Sequence, residues 1–264
     1  MTIAGSDSGG NAGVQADLRA FHAYGLHGCT VFAALTAQNP FGVNAVFPVS
    51  ADFVCAQLDA VLGTYAIGGL KTGMLSDPLA IEGIADRLAA HPEIAKVIDP
   101  VMVATSGVRL VSEETIETIQ ERLLPLATLI TPNLPEAEVM CGGLLEPMAS
   151  RQADAARARE LAQRLYDRFG CAVLVKGGHG VGSAAVDVLF DGHDLTEFPL
   201  PWISDPISTH GTGCSLASAL VAELVLGRPL PEAVAGAKRY VHTAIANSYY
   251  VGKDCGVLGF VSMR

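Results

Sequence analysis

Apolar runs of strand length alternate with helical patterns along nearly the whole chain, and this alternation is the strongest constraint on what it can fold into. Strands are expected at Thr30–Leu35, Ala45–Val49, Gly69–Lys71, Lys96–Asp99, Leu129–Thr131 and Ala172–Lys176. Helices are expected at Gly13–Tyr24, Ala51–Leu62, Pro78–Ala90, Glu113–Leu123, Leu134–Cys141, Asp154–Phe169, Gly213–Leu226 and Pro231–Tyr249. The strands are continuously apolar, as strands covered on both faces are, and the helices between them supply the crossovers that parallel pairing requires. Ala184–Phe198 reads as a hairpin around Asp191-Gly192. Thr2-Ile3-Ala4-Gly5 reads as the end of a first strand, short or trimmed. No linker, repeat or low-complexity tract divides residues 1–264, so a single α/β domain is expected, with a mostly parallel central β-sheet flanked by helices.

In such sheets the ligand crevice lies beyond the C-terminal ends of the strands. The conspicuous polar residues fall there: Gly5-Ser6-Asp7, Gln38-Asn39, Thr72-Gly73-Met74, Asp99-Pro100, Asn133–Glu136 and Lys176–His179. Half of the residues are hydrophobic and 17% are charged, which supports a large core. The net charge of −10, with no Lys/Arg cluster, argues against a nucleic-acid partner. An anionic ligand then depends on backbone dipoles, a metal and a few local cations. The six cysteines form no C-x-x-C pair, and Glu223 interrupts the longest apolar run, so a cytoplasmic, reduced protein with no membrane span is expected.

The sharpest chemical signal is Thr209-His210-Gly211-Thr212-Gly213-Cys214 ahead of the apolar run Leu216–Leu226. Gly211, Thr212 and Gly213 at a helix N-terminus suit an anion, which meets unpaired N–H groups and the positive end of the dipole. Cys214 in the first turn is where a thiol ionises more easily, and it is the candidate base; the alternative is a small buried helix residue. The glycine-rich Gly5–Gly13 stretch suits a small polar substrate or an ordinary strand-to-helix turn. Asn133-Leu134-Pro135-Glu136 is either a helix cap or a set of oxygen ligands for Mg²⁺, with Asp99 as a second carboxylate. Lys176-Gly177-Gly178 forms a tight strand exit or contacts phosphate, and Lys238, alone on its helix, is weighed against a solvated lysine. His179 and His210 lack metal-ligand spacing and default to loop or capping roles. Walker, dinucleotide, zinc-peptidase and nucleophile-elbow fingerprints are missing. Phosphoryl transfer, which needs only positioning, a metal and electrostatics, is not excluded by their absence.

Taken in order, Thr2–Asp7, Ala12–Asp17, Ala34–Asn39, Lys71–Met74, Asp99–Met102, Thr131–Glu138, Leu174–His179 and His210–Cys214 resemble the hydroxymethylpyrimidine/phosphomethylpyrimidine kinases of the ribokinase-like superfamily. The resemblance runs through nearly the whole chain. It implies ATP with Mg²⁺, admits an assisting monovalent cation, and implies phosphorylation of a pyrimidine hydroxymethyl group and then of the monophosphate, by a homodimer. Many members of the superfamily carry Asp where this chain has Cys214, and the pyrimidine branch carries Cys. By the same carry-over Gly211–Gly213 form the anion hole and Gln38 reads the aminopyrimidine edge. Gly5, Asp17, Thr36, Met74 and Val101 are assigned to the substrate pocket; Lys176, Gly178, Thr209 and Lys238 to the nucleotide; and Asp99, Asn133 and Glu136 to the metal. The chain departs from the family at Thr105, where a lysine is usual, and Arg109 in the Ala104–Arg109 segment is the candidate substitute. A pyridoxal kinase of the same fold and a non-catalytic pyrimidine-binding protein are the alternatives. Gln38, and the lack of a cysteine between Cys55 and Cys141, favour the pyrimidine kinase over the first; Cys214, Asp99 and Glu136 together argue against the second.

Overall fold

The computed structural model describes residues 1–102, 111–143, 155–178 and 184–263. Asp154, the Ala104–Arg109 segment with Thr105, and His179 lie outside the described residues. Nine strands form one sheet in the order β3-β2-β1-β4-β5-β6-β7-β8-β9. They are β1 (Thr2–Asp7), β2 (Thr30–Asn39), β3 (Gly42–Pro48), β4 (Gly69–Thr72), β5 (Ala95–Ile98), β6 (Leu129–Ile130), β7 (Ala172–Val175), β8 (Ala184–Phe190) and β9 (Leu195–Pro201). The six strands from β2 to β7 pair in parallel, and both edges are antiparallel. The β8–β9 hairpin turns at Asp191-Gly192, where Gly192 has φ +98°, as its sequence predicts.

The other edge differs from expectation. β2 continues past Leu35 to Asn39 and folds back on β3, so Gln38 and Asn39 lie within a strand rather than after it. Two residues, Pro40 and Phe41, separate the strands. Such a short connection permits only an antiparallel hairpin, because a parallel return needs a dozen or more residues. At the C-terminus the last long helix stops at Ala246, and Tyr249 opens a small separate hairpin of β10 (Tyr249–Gly252) and β11 (Cys255–Val257). Tyr249, Tyr250 and Val251 are residue types that favour strands.

Helices cover both faces. On one side lie α1 (Gly13–Ala23), α7 (Thr212–Val225) and α8 (Leu230–Ala246), whose Phe21, Leu220, Val234 and Tyr240 pack against Val97, Leu129 and Leu174 of the sheet. On the other lie α2 (Ala51–Leu62), α3 (Pro78–Ala89), α4 (Glu113–Thr118), α5 (Leu134–Met140) and α6 (Ala155–Phe169), burying Val54, Leu58, Ile81, Leu88 and Leu161 against Ile3, Leu70, Ile98 and Val173. α4 widens into a π turn over Ile119–Leu123 and ends in a 3₁₀ turn, Leu124–Leu126, where Pro125 cannot continue an α-helix. Among the described residues no helix is long and apolar enough to cross a membrane.

Successive connections leave β1 toward β2 on one side and, after α2, reach β4 on the other, so the order reverses between β1 and β4. A crevice opens beyond the strand ends at such a switch point. Directly beneath it, Asp17 of α1 and Lys71 of β4 form an ion pair at 3.1 Å with neither side chain exposed. Thr2 Oγ1 of β1 (2.6 Å) and Ser218 Oγ of α7 (2.7 Å) donate to the same carboxylate. Burial alone would push the Lys71 ammonium down, but Asp17, with Cys214 and Asp99 further off, more than offsets this and holds it above its usual range. Removing one partner of a buried pair strands the other charge. Asp17→Ala is therefore expected to cost about 3–5 kcal/mol of unfolding free energy in urea titration. A loss below about 1 kcal/mol, the size of a surface pair, would show that this pair does not hold the four elements together.

Candidate active site

Among the described residues, six strand ends and the N-termini of α5 and α7 converge on the crevice. α7 starts after Gly211, whose φ of +89° suits glycine, and the N–H groups of its first turn have no partner within the helix; that of Thr212 meets the Thr209 carbonyl at 3.4 Å. The two glycines of the motif do different work. A Cβ at Gly211 would overlap the carbonyl oxygen of Asn11 in the β1–α1 loop, so internal packing already requires glycine there. A Cβ at Gly213 would lie 3.8 Å from both Asp99 Oδ2 and Lys176 Nζ, so Gly213 borders the charged part of the site.

That charged part comes from β5, β6, β7 and α5. Lys176 Nζ donates to Asp99 Oδ1 at 2.7 Å, and Thr131 Oγ1 donates to the same oxygen at 3.0 Å. Burial would push Lys176 down, but Asp99 and Glu136 outweigh it and hold the ammonium above its usual value. Glu136 is buried, and burial pushes its carboxyl up to about 7, against the pull of Lys176 and with a further push from Asp99. Asn133 and Glu136 form a reciprocal capping box: Glu136 N–H donates to Asn133 Oδ1 (2.9 Å) and Asn133 N–H to Glu136 Oε2 (2.8 Å). The side-chain oxygen of Asn133 thus holds Glu136 in place. Among the described residues, Glu136 Oε1 has only a long contact, 3.4 Å from the Met102 N–H. Among the described residues no group of three or more His, Cys, Asp or Glu side chains is gathered as a metal cluster. Mg²⁺ does not need one, since it is commonly held by one or two carboxylates with phosphate and water. Asp99 Oδ2 and Glu136 Oε1 fit that requirement.

The β1–α1 loop is shaped by Asp7. Its Oδ1 accepts from Gly9 N (2.8 Å) and its Oδ2 from Asn11 N (3.0 Å) and Ala12 N (2.9 Å). Burial pushes the Asp7 carboxyl up, but the contact with His210 and these three N–H donors prevail and hold it below the usual carboxylate range. Gly5 and Met74 meet: a Cβ at Gly5 would lie 2.7 Å from Met74 Cε. Gln38 reaches over from the β2–β3 hairpin. Its backbone N–H donates to Ser8 Oγ (2.8 Å), which donates in turn to the Gln38 carbonyl (2.7 Å). Its side-chain amide sits between Thr36 Oγ1 (3.2 Å from Oε1) and His210 Nε2 (3.4 Å from Nε2). His210 Nε2 is also 3.5 Å from Asp7 Oδ2. From the sequence His210 reads as a loop residue, with its position before Gly211 as the signal of a site; the partners of its ring, Gln38 and Asp7, are 172 and 203 residues away in the chain.

Three expected residues stand apart. Asp17 is fully buried and occupied by Thr2, Lys71 and Ser218, so it lies under the site and presents no surface to a substrate. Lys238 is neither solvated nor free: it pairs with Asp187 Oδ2 of β8 (2.9 Å) and donates to the Ala185 carbonyl (3.0 Å). Asp187 Oδ1 accepts the Gly177 N–H (2.8 Å), so this chain of contacts braces the turn after Lys176. Cys214 is half-buried, and burial pushes its thiol up, against the helix-terminus expectation; Lys71 pulls it down, while Asp17 and Asp99 push it further up. Gly178 has open space where a side chain would sit, Thr209 is exposed, and Val101 is half-buried beside Asp99. In the ligand-free protein, iodoacetamide modification of Cys214, followed by peptide mass mapping, is expected to go on accelerating with pH beyond the range where an ordinary thiol has ionised. A plateau reached near neutral pH would mean that the helix dipole wins over burial.

The phosphomethylpyrimidine kinase family profile matches residues 7–259. A hydroxymethylpyrimidine/phosphomethylpyrimidine kinase from Rhizobium meliloti is 47% identical over 93% of this chain and 90% of its own length. One of the same description from Salmonella typhimurium is 43% identical over 97% and 94%. Among solved structures, phosphomethylpyrimidine kinase from Clostridium difficile superposes with a TM-score of 0.79 at 36% identity, covering 92% of this chain and 97% of that one. The ADP complex of Bacillus subtilis pyridoxal kinase superposes with a TM-score of 0.87 at 33% identity, over 99% and 96%. With the strand-end site and the helix N-terminus in place, this chain belongs to the phosphomethylpyrimidine kinase family.

Proposed function

We propose that this chain transfers the γ-phosphoryl group of ATP to the hydroxymethyl oxygen of 4-amino-5-hydroxymethyl-2-methylpyrimidine, and then phosphorylates the monophosphate to the diphosphate, in thiamine biosynthesis. The observation that carries the reading is the junction at Gly213, where the first turn of α7, Asp99 and Lys176 surround one point. Backbone N–H groups and a fixed ammonium there stabilise the charge on a transferring phosphoryl group. Gly5, Met74 and Gln38 line the side that takes the pyrimidine. Lys176, Gly178 and Thr209 face the triphosphate, with Lys176 held by the brace through Asp187 and Lys238. Mg²⁺ held by Asp99 and Glu136 neutralises phosphate charge when bound. The reaction breaks the bond from the γ-phosphorus to its bridging oxygen and forms one to the substrate oxygen, whose proton Cys214 accepts as thiolate.

Two alternatives are weaker. The likeness to pyridoxal kinase concerns the shared fold, whereas Gln38 offers both a donor and an acceptor to an aminopyrimidine edge. A binding protein without turnover would have no use for the charged cluster at Gly213. A homodimer is the assembly that suits the β2–β3 hairpin, which with α2 leaves Phe41 (71%), Phe47 (68%) and Phe53 (61%) exposed. We place the protein in the cytoplasm, and a monovalent cation beside the phosphates is compatible with this reading.

With ATP and Mg²⁺ the purified protein is expected to phosphorylate hydroxymethylpyrimidine with higher kcat/KM than pyridoxal, giving both mono- and diphosphate by mass analysis. The opposite order of kcat/KM would overturn the reading. Cys214→Ala is expected to lower kcat about 10²-fold, the usual scale of general-base catalysis. An unchanged kcat would make Cys214 a packing residue.

A further inference from the structure

The hydrogen-bond arithmetic around Gln38 does not close with the amide placed NH₂-first toward His210. Thr36 Oγ1 lies 2.7 Å from the Ser6 carbonyl, which can only accept, and 3.2 Å from Gln38 Oε1. A hydroxyl has one proton, and the shorter, carbonyl partner takes it. Thr36 Oγ1 is then an acceptor facing an acceptor. On the other side, Gln38 Nε2 faces His210 Nε2 at 3.4 Å, while the same imidazole nitrogen faces Asp7 Oδ2 at 3.5 Å. Asp7 already accepts three backbone N–H groups as a carboxylate, so only a protonated Nε2 is compatible with it. That proton confronts the donor face of Gln38. Turning the amide by half a turn resolves both mismatches: Gln38 Nε2 donates to Thr36 Oγ1, and Gln38 Oε1 shares with Asp7 Oδ2 the one proton of His210 Nε2 in a three-centre bond. The two ends of the amide have nearly the same shape, so the turn leaves the packing unaltered.

We infer that His210 is a positioning residue that, with Thr36, locks the Gln38 amide with its oxygen toward the imidazole and its nitrogen toward the threonine, and so sets which hydrogen-bonding edge the site accepts. The inference rests on the pyrimidine reading of the site. In the locked state Gln38 keeps one N–H and one oxygen lone pair on fixed sides. A substrate must meet them with an acceptor and a donor in that order, as an amino group next to a ring nitrogen does. An amide free to turn would accept either order, with less discrimination. His210 is 20% exposed at its side chain and sits immediately before Gly211, so the element that reads the ring is continuous with the helix end that takes phosphate.

The test has a spectroscopic arm and a kinetic arm. Long-range ¹H–¹⁵N correlation of the histidine rings, with His210 assigned by comparison with His210→Gln, is expected to show Nε2 protonated in the free protein. An Nδ1–H tautomer with bare Nε2 overturns the inference, whatever the enzyme phosphorylates. In the kinetic arm, His210→Ala is expected to raise KM for hydroxymethylpyrimidine about five- to tenfold, the scale of one hydrogen bond, while KM for ATP stays within about twofold. His210→Gln, whose amide N–H can donate from a similar place, is expected to recover most of the loss. An unchanged pyrimidine KM in His210→Ala, or no recovery in His210→Gln when both variants show the wild-type circular dichroism spectrum, also overturns it. Absence of pyrimidine turnover in the wild type would count against the proposed function, and the tautomer would still decide the role of His210.

Discussion

The buried pair between Asp17 and Lys71 is the constraint on which the site depends. A charge removed from water has to be matched where it sits, and this one is matched from four elements at once: β1 through Thr2, α1 through Asp17, β4 through Lys71 and α7 through Ser218. Ser218 lies one turn below Cys214, so the depth at which the N-terminus of α7 meets the strand ends follows from where that carboxylate is satisfied. The same ammonium pulls on the Cys214 thiol from below. A polar core of this kind often contributes no more to net stability than a well-packed apolar one of equal volume, yet removing one member strands the others.

A second layer of polar contacts gives the surface of the site its shape. Asp7 gathers three backbone N–H groups and organises the β1–α1 loop. The capping box of Asn133 and Glu136 orients a buried carboxyl toward Asp99. Asp187 ties the turn after β7 to Lys238. In each case the residue that touches a ligand in the proposed reaction is held by one that does not, as a site of fixed electrostatics requires.

The alternation of elements was legible in the sequence because parallel strands buried on both faces carry an uninterrupted apolar signal. The crevice followed from topology, and the residues at the strand ends followed from the crevice. The β2–β3 hairpin was legible only in part. Its outer residues are exposed, so the apolar signal weakens beyond Leu35, and Gln38 was placed after the strand that carries it. The roles of Asp17 and Lys238 were not legible, since a charged residue on a helix looks the same whether it faces solvent, a ligand or a buried partner far along the chain. The raised Cys214 thiol is not legible for a related reason: a helix N-terminus is visible in the sequence, whereas burial arises from packing. His210 was passed over because its partners, Gln38 and Asp7, are brought to it only by the sheet.

Gly211 has a consequence that reaches past its own position. Because its backbone rests directly on the Asn11 carbonyl, with no room for a side chain, the β1–α1 loop and the turn that opens α7 behave as one mechanical part, and in the proposed reaction these are the organic pocket and the turn that receives phosphate. Nothing between them can absorb a shift. A lineage remodelling this loop to admit a different ring would displace the anion-binding turn in the same movement. In the proposed reaction, substrate range and turnover are therefore inherited together through this contact.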